Sequence, residues 1–159
     1  MIFDSGGILR DDGGTELARV EIAPDPAYAT LSIGAERYEV LKVKPLGYHF
    51  RLCGADGEVV YDFRPSLRRG GTIHSAGGEE LAALHKHLVG FGWTIEPARG
   101  APIEVHRQTG LAGSVLVEGH TAPPALDLAV PSGAPVGTEE VRMLAFACWL
   151  IEQWEVEVI

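Results

Sequence analysis

The densest group of side chains able to recognise an anion is the run Arg64-Pro65-Ser66-Leu67-Arg68-Arg69-Gly70-Gly71, with Lys42 and Lys44 on an adjoining hairpin. Paired guanidinium groups hold a phosphate by bidentate hydrogen bonds, and glycine-rich backbone adds amide donors. The competing reading of the same run is a solvated loop whose charges keep a sheet edge soluble. The chain carries 22 acidic against 13 basic side chains, a net charge of −9, so an anion has to be attracted by a local concentration of positive charge.

A second candidate is the pair His85 and His87. On a strand, alternate residues share a face and both imidazoles could reach one ion, with His74, His106 or His120 as a third ligand. On a helix the pair stands about 200° apart and the metal reading fails. Two surface histidines without a metal are the simpler alternative.

Signatures of other chemistry are missing from the sequence. It has no Gly-rich phosphate loop, HExxH pair or GxSxG elbow, and Gly90-Phe91-Gly92 lacks the third glycine of a dinucleotide motif. Cys53 and Cys148 have no CxxC spacing and read as reduced, packed thiols. Glu152, Glu155 and Glu157 gather near the end of the chain, either paired with arginines at a barrel mouth or offered to a partner. No cofactor is expected. The acidic balance argues against a dedicated nucleic-acid binder, whose affinity comes largely from cations against phosphates. Met1-Ile2-Phe3-Asp4-Ser5-Gly6-Gly7 has neither the basic start nor the apolar run of a signal peptide, which makes a cytoplasmic location the expectation. Ten Arg against three Lys suit a GC-rich bacterial genome.

The elements that must position these residues are legible from turn signals and period. At 159 residues, 46% of them hydrophobic, the chain suits one domain spanning 1–159. Turn signals such as Asp11-Asp12-Gly13-Gly14, Pro24-Asp25-Pro26, Asp56-Gly57, Gly70-Gly71 and Gly77-Gly78 cut residues 1–131 into strand-length pieces. Several pieces alternate as half-buried strands do: Tyr48, Phe50 and Leu52; Val59, Tyr61 and Phe63; Ile103 and Val105; Leu126, Leu128 and Val130. The stretch 80–88, ELAALHKHL, is the exception, since its local propensity favours a helix.

The last element differs in kind. Thr138 is placed to cap a helix, Glu139 and Glu140 suit its positive end, and the pattern predicts a helix from 138 to about 154. Every residue from 143 to 151 is apolar, including Met143, Leu144, Phe146, Ala147, Trp149, Leu150 and Ile151, so this helix has no face suited to water. Nine residues rise only about 13–14 Å, less than half of a ~30 Å hydrocarbon core, and Arg142 and Glu152 close both ends. A membrane span fails on length. What remains is a helix enclosed by a closed antiparallel β-barrel.

The glycine-punctuated strands, then Ala125-Leu126-Asp127-Leu128-Ala129-Val130, then Val141-Arg142-Met143-Leu144-Ala145-Phe146-Ala147-Cys148-Trp149-Leu150-Ile151-Glu152, resemble the tubby C-terminal-like superfamily. The likeness is to its phospholipid-scramblase and LURP-one-related branches. Ile2-Phe3-Asp4-Ser5-Gly6-Gly7 and Glu58-Val59-Val60-Tyr61-Asp62-Phe63 also look like the strand and turn units of those proteins. The resemblance implies a barrel of about 12 antiparallel strands around a buried C-terminal hydrophobic helix, with 80–88 as a strand.

It also implies a non-enzymatic binding or regulatory module, peripheral to the membrane, whose partner is an anionic phospholipid headgroup or a protein. The tubby phosphoinositide pocket has no matching positions here. The scramblase calcium segment is not matched either, because 119–130 offers only Asp127 as a carboxylate, far short of the roughly six to eight oxygens that calcium takes. The palmitoylated cysteine cluster and proline-rich tail are missing too, so lipid scrambling is not carried over. The rival class is a metal-dependent hydrolase built on the histidine cluster.

Overall fold

The computed structural model describes residues 1–24, 27–67, 69–90, 92–108, 116–117, 120–121, 125–130 and 137–156. Period-two alternation becomes a succession of antiparallel strands: β1 (Ile2–Phe3), β2 (Ile8–Arg10), β3 (Glu16–Ile22), β4 (Ala29–Ile33), β5 (Glu36–Lys42), β6 (Phe50–Gly54), β7 (Val59–Pro65), β8 (Gly70–Ser75), β9 (Glu80–Lys86), β10 (Trp93–Pro97) and β11 (Ile103–Arg107). Two short strands, β12 (Leu116–Val117) and β13 (His120–Thr121), pair only with each other. They are followed by β14 (Leu126–Ala129) and the helix α1 (Thr138–Val156).

Each strand from β1 to β11 is hydrogen-bonded to the next, β11 then pairs with β14, and β14 returns to β1 through Ile2–Asp127 and Phe3–Leu126. The result is a closed barrel of twelve antiparallel strands with no free sheet edge. Leu9, Leu31, Val40, Leu52, Phe63, Ile73, Leu84, Ile95, Val105 and Leu128 point inward, fully buried, from ten different strands. Their neighbours Arg19, Glu39, Arg51, His74, His85, Glu96 and Glu104 take the outer face. This arrangement, polar outside and apolar inside, is the reverse of a lipid-spanning barrel.

The barrel is filled by α1. Val141, every residue from 144 to 151, and Trp154 are buried, while Met143 is only partly buried at the helix entrance. No helix among the described residues is long and apolar enough to cross a membrane. Aromatic rings fill the gap between helix and wall: Trp149 meets Phe50 edge-on at 4.9 Å, Phe146 stacks on Tyr61 at 6.0 Å, and Trp154 stacks on Tyr48 at 4.5 Å.

Three local expectations are corrected. The stretch 80–88 is not a helix: Glu80–Lys86 is a strand, paired on both sides with β8 and β10, and that inter-strand pairing overrides the helix propensity of ELAAL. Gly70-Gly71 is not a turn but the start of β8. A Cβ at Gly70 would collide with the carbonyl oxygen of Leu84, and one at Gly71 with that of Arg64, so the glycines let three strands approach closely. The helix cap falls one residue early, because the amide of Val141 donates to the carbonyl of Gly137 and Thr138 is already in the first turn.

Candidate functional site

An antiparallel barrel reverses its chain at every connection, so alternate connections collect at opposite ends. Those following β1, β3, β5, β7 and β9 lie at the end that holds the C-terminus of α1, where Trp154 stacks on Tyr48. The connections following β2, β4, β6, β8 and β10 surround its N-terminus, where the Tyr61 hydroxyl donates to the Glu139 carbonyl at 3.3 Å. The two ends are called the C-rim and the N-rim.

The hairpin connections at the two ends differ in charge, while the carboxylates Glu152 and Glu155 that α1 brings to the C-rim are paired with Arg107 and Lys86. On the C-rim the connections 43–49, 66–69 and 87–92 include Lys44 and Arg69 and have no Asp or Glu in their sequence, and Lys42, Arg64 and Lys86 stand at or next to the ends of the strands that lead into them. On the N-rim the connections 11–15, 34–35, 55–58, 76–79 and 98–102 hold Asp11, Asp12, Asp56, Glu58 and Glu79 against a single Arg99. Asp4 belongs to the C-rim segment 4–7 and Asp25 lies outside the described residues, so the positive sector is that of the three hairpins between β5 and β10.

The basic candidates occupy this sector in different ways. Lys44 and Arg69 are exposed. The Lys42 ammonium stands 5.3 Å above the Tyr28 ring and 5.8 Å above the Phe50 ring, and both contacts suit a cation held at an aromatic face. Arg64 is exposed, and its Nε donates to Asp62 Oδ2 at 3.1 Å. Arg68 lies outside the described residues. Gly70 and Gly71 do not form an amide cradle for phosphate, since both belong to the β8 ladder.

Asp62 organises the outer wall beneath this sector. Its Oδ1 lies 2.7 Å from His49 Nε2 and accepts from Arg51 Nε at 3.2 Å, while Oδ2 takes Arg64. Burial opposes its ionised form, but the bonds from His49, Arg64 and Arg51 outweigh burial and hold the carboxyl below the usual aspartate range. From its place between the inward-facing Tyr61 and Phe63, the alternation predicts for Asp62 only the outer face. Its register opposite Arg51, fixed by the β6–β7 pairing, is what makes it a hub.

The acidic end of α1 is paired rather than offered. Glu155 accepts from Arg107 Nη2 at 2.7 Å, from the Trp93 indole at 3.0 Å and from Lys86 at 3.3 Å, and Glu152 accepts from Arg107 Nη2 at 3.0 Å. Burial pushes Glu152 up from its ordinary value, more than Arg107 brings it down. Glu155 is held below its ordinary value, because Arg107, Trp93 and Lys86 together outweigh burial. Glu157 lies outside the described residues. At the opposite end Arg142 is sandwiched between Tyr38 and Tyr61, 5.3 and 5.1 Å from the two rings, and donates to both hydroxyls at 3.1 Å.

With 80–86 a strand, His85 and His87 share the outer face, but each has its own partners. His85 Nε2 lies 3.2 Å from Glu96, and His87 Nε2 lies 2.8 Å from Thr94 Oγ1 and 3.1 Å from Glu104. The rings of His87 and His106 are 6.0 Å apart, and His74 is bonded to Thr72. The side chain of His120 lies outside those described. Among the described residues no three His, Cys, Asp or Glu side chains are grouped to hold a metal ion. Cys53 and Cys148 are free thiols, both buried, and burial raises the pKa of each.

No protein-family model, curated protein or solved structure matches the chain.

Proposed function

We propose that the protein is a non-enzymatic cytosolic binding module, related to the tubby and LURP-one group, that uses the positive sector of its C-rim to engage anionic phospholipid headgroups. The twelve-stranded barrel around a C-terminal helix is the architecture that kinship implies and supports it. The observation that carries the binding role is charge segregation: exposed Lys44 and Arg69 stand on adjacent hairpin connections whose sequence has no carboxylate, with Lys42 beside them, in a chain whose net charge is −9. A local positive pole of this kind concentrates anions despite the overall charge.

Each Lys or Arg close to an anionic membrane surface contributes about 1 kcal/mol. Replacing the exposed Lys44 and Arg69 together by alanine therefore weakens vesicle binding by about 2 kcal/mol, roughly thirtyfold. Sedimentation with phosphatidylserine-containing vesicles measures this directly. Equal retention of wild type and Lys44→Ala/Arg69→Ala, or equal binding to purely zwitterionic vesicles, would overturn the reading.

A further inference from the structure

The large apolar side chains that the fold leaves in water are not scattered. Among the described residues they are Ile22, Tyr28, Leu46, Leu67, Leu88 and Val89, and all six belong to C-rim hairpins. Leu46, Leu67, Leu88 and Val89 are 87, 110, 94 and 89% exposed, at the tips of the same three hairpins that carry the cations. The five N-rim connections contain no Leu, Ile, Val, Met or aromatic residue. Isolated surface leucines are ordinary, but a set restricted to one end and interleaved with cations marks an interaction surface.

The tips are also held in place. The amide of Val43 donates to His49 O at 2.8 Å, that of Ser66 to Gly70 O at 3.0 Å, and that of His87 to Gly92 O at 3.0 Å, closing each hairpin beneath its apolar residue. Gly47 and Gly90 take the left-handed conformation next to Leu46 and Val89. A projecting apolar group on a closed hairpin gives up little conformational freedom when it is buried.

We infer that the C-rim is an insertion surface for an anionic bilayer: Leu46, Leu67, Leu88 and Val89 enter the boundary between headgroups and acyl chains, while Lys44 and Arg69 meet the phosphates around them. This rests on the anionic-headgroup reading and goes beyond it, because a soluble phosphate or inositol phosphate satisfies the cations but gives the leucines nowhere to go. A bilayer interface accommodates both groups at once. The polar outer wall confines the contact to the rim, so the barrel stands on the membrane with the C-terminus of α1 toward it.

The test uses the full chain with Leu67→Trp and, separately, Leu88→Trp. The native Trp93, Trp149 and Trp154 are buried and serve as the internal reference. Phosphatidylserine and phosphatidylcholine vesicles with brominated acyl chains should quench the introduced indole beyond any quenching of the wild type. Leu46→Ser/Leu67→Ser/Leu88→Ser, whose sites are exposed and whose melting should be unchanged, should lose at least about tenfold in vesicle affinity. Wild-type vesicle binding that depends on Lys44 and Arg69, with an unquenched indole and an unimpaired serine variant, would overturn insertion and leave headgroup recognition standing. Failure of the wild type to bind anionic vesicles would remove both, and would direct the apolar rim to a protein partner instead.

Discussion

Glu155 on the last turns of α1 and Arg107 at the end of β11 form an ion pair of 2.7 Å that fastens the enclosed helix to its barrel. A carboxylate is unfavourable at the negative end of a helix dipole, so its presence there requires strong compensation. Both side chains are less than one fifth exposed. Arg107→Gln leaves Glu152 and Glu155 with less positive charge in a partly dry site, and should cost about 3 kcal/mol in urea unfolding. Arg107→Gln/Glu155→Gln should recover part of that loss. Additive losses in the two single variants would show that the pair is not coupled.

Asp62 should make the barrel wall sensitive to acid. Its folded pKa is depressed, so its contribution is fully present above the unfolded value of about 3.9 and disappears as the pH falls through the lower folded value. Asp62→Asn is therefore expected to lose about 1 kcal/mol at pH 7, a small figure because Arg51 and Arg64 are well exposed. The difference from wild type should close as the pH falls from about 4 toward 2. A difference that persists at the acid end would point to packing rather than charge.

The glycines divide into those that need only a backbone conformation and those that also need space. Gly34 has a φ of +58° and open space where a side chain would stand, whereas Gly70 has a φ of +119° and a Cβ there would collide with Leu84 O. Gly34→Ala should cost about 1 kcal/mol, or roughly 2–4 °C in melting temperature. Gly70→Ala should cost more than about 3 kcal/mol or abolish folding. Equal melting shifts for the two would refute the close approach of β8 and β9.

Cys148 lies at the centre of the enclosed helix and is wholly shielded, and burial drives its thiol pKa far above the ordinary range. Iodoacetamide at about pH 8 should leave Cys148 unmodified in the native protein and alkylate both thiols in guanidinium chloride. Cys53, on the wall at a register shift between β6 and β7, should react before Cys148 under partial denaturation. Peptide mass spectrometry distinguishes the two sites, and early labelling of Cys148 would mean that the helix leaves the barrel without global unfolding.

The barrel and its helix were readable from the chain because the run 143–151 has no polar side, which demands an enclosure, and the alternating segments supply one. Local signals failed where long-range pairing decided the outcome. The propensity of ELAAL points to a helix, yet its neighbours in the sheet make it β9, and Gly70-Gly71 looks like a turn until β9 is laid against it. The basic cluster was visible as composition. The role of Asp62 depends on register with Arg51, and the apolar tips become a set only when topology brings alternate hairpins to one end, information no single segment contains.

The last hydrogen bonds of the barrel join Ile2 and Phe3 to Leu126 and Asp127, partners more than a hundred positions apart. A sheath that is already shut cannot admit a 19-residue rod bearing Trp149 and Trp154. The rod must therefore be laid against the open sheet before the seam zips up, so closure is late in the order of assembly. Such distant pairing is slow, and until it is complete two bare strand margins and a greasy lumen are open to other chains. Refolding yield should consequently fall with protein concentration more steeply than native stability alone would suggest.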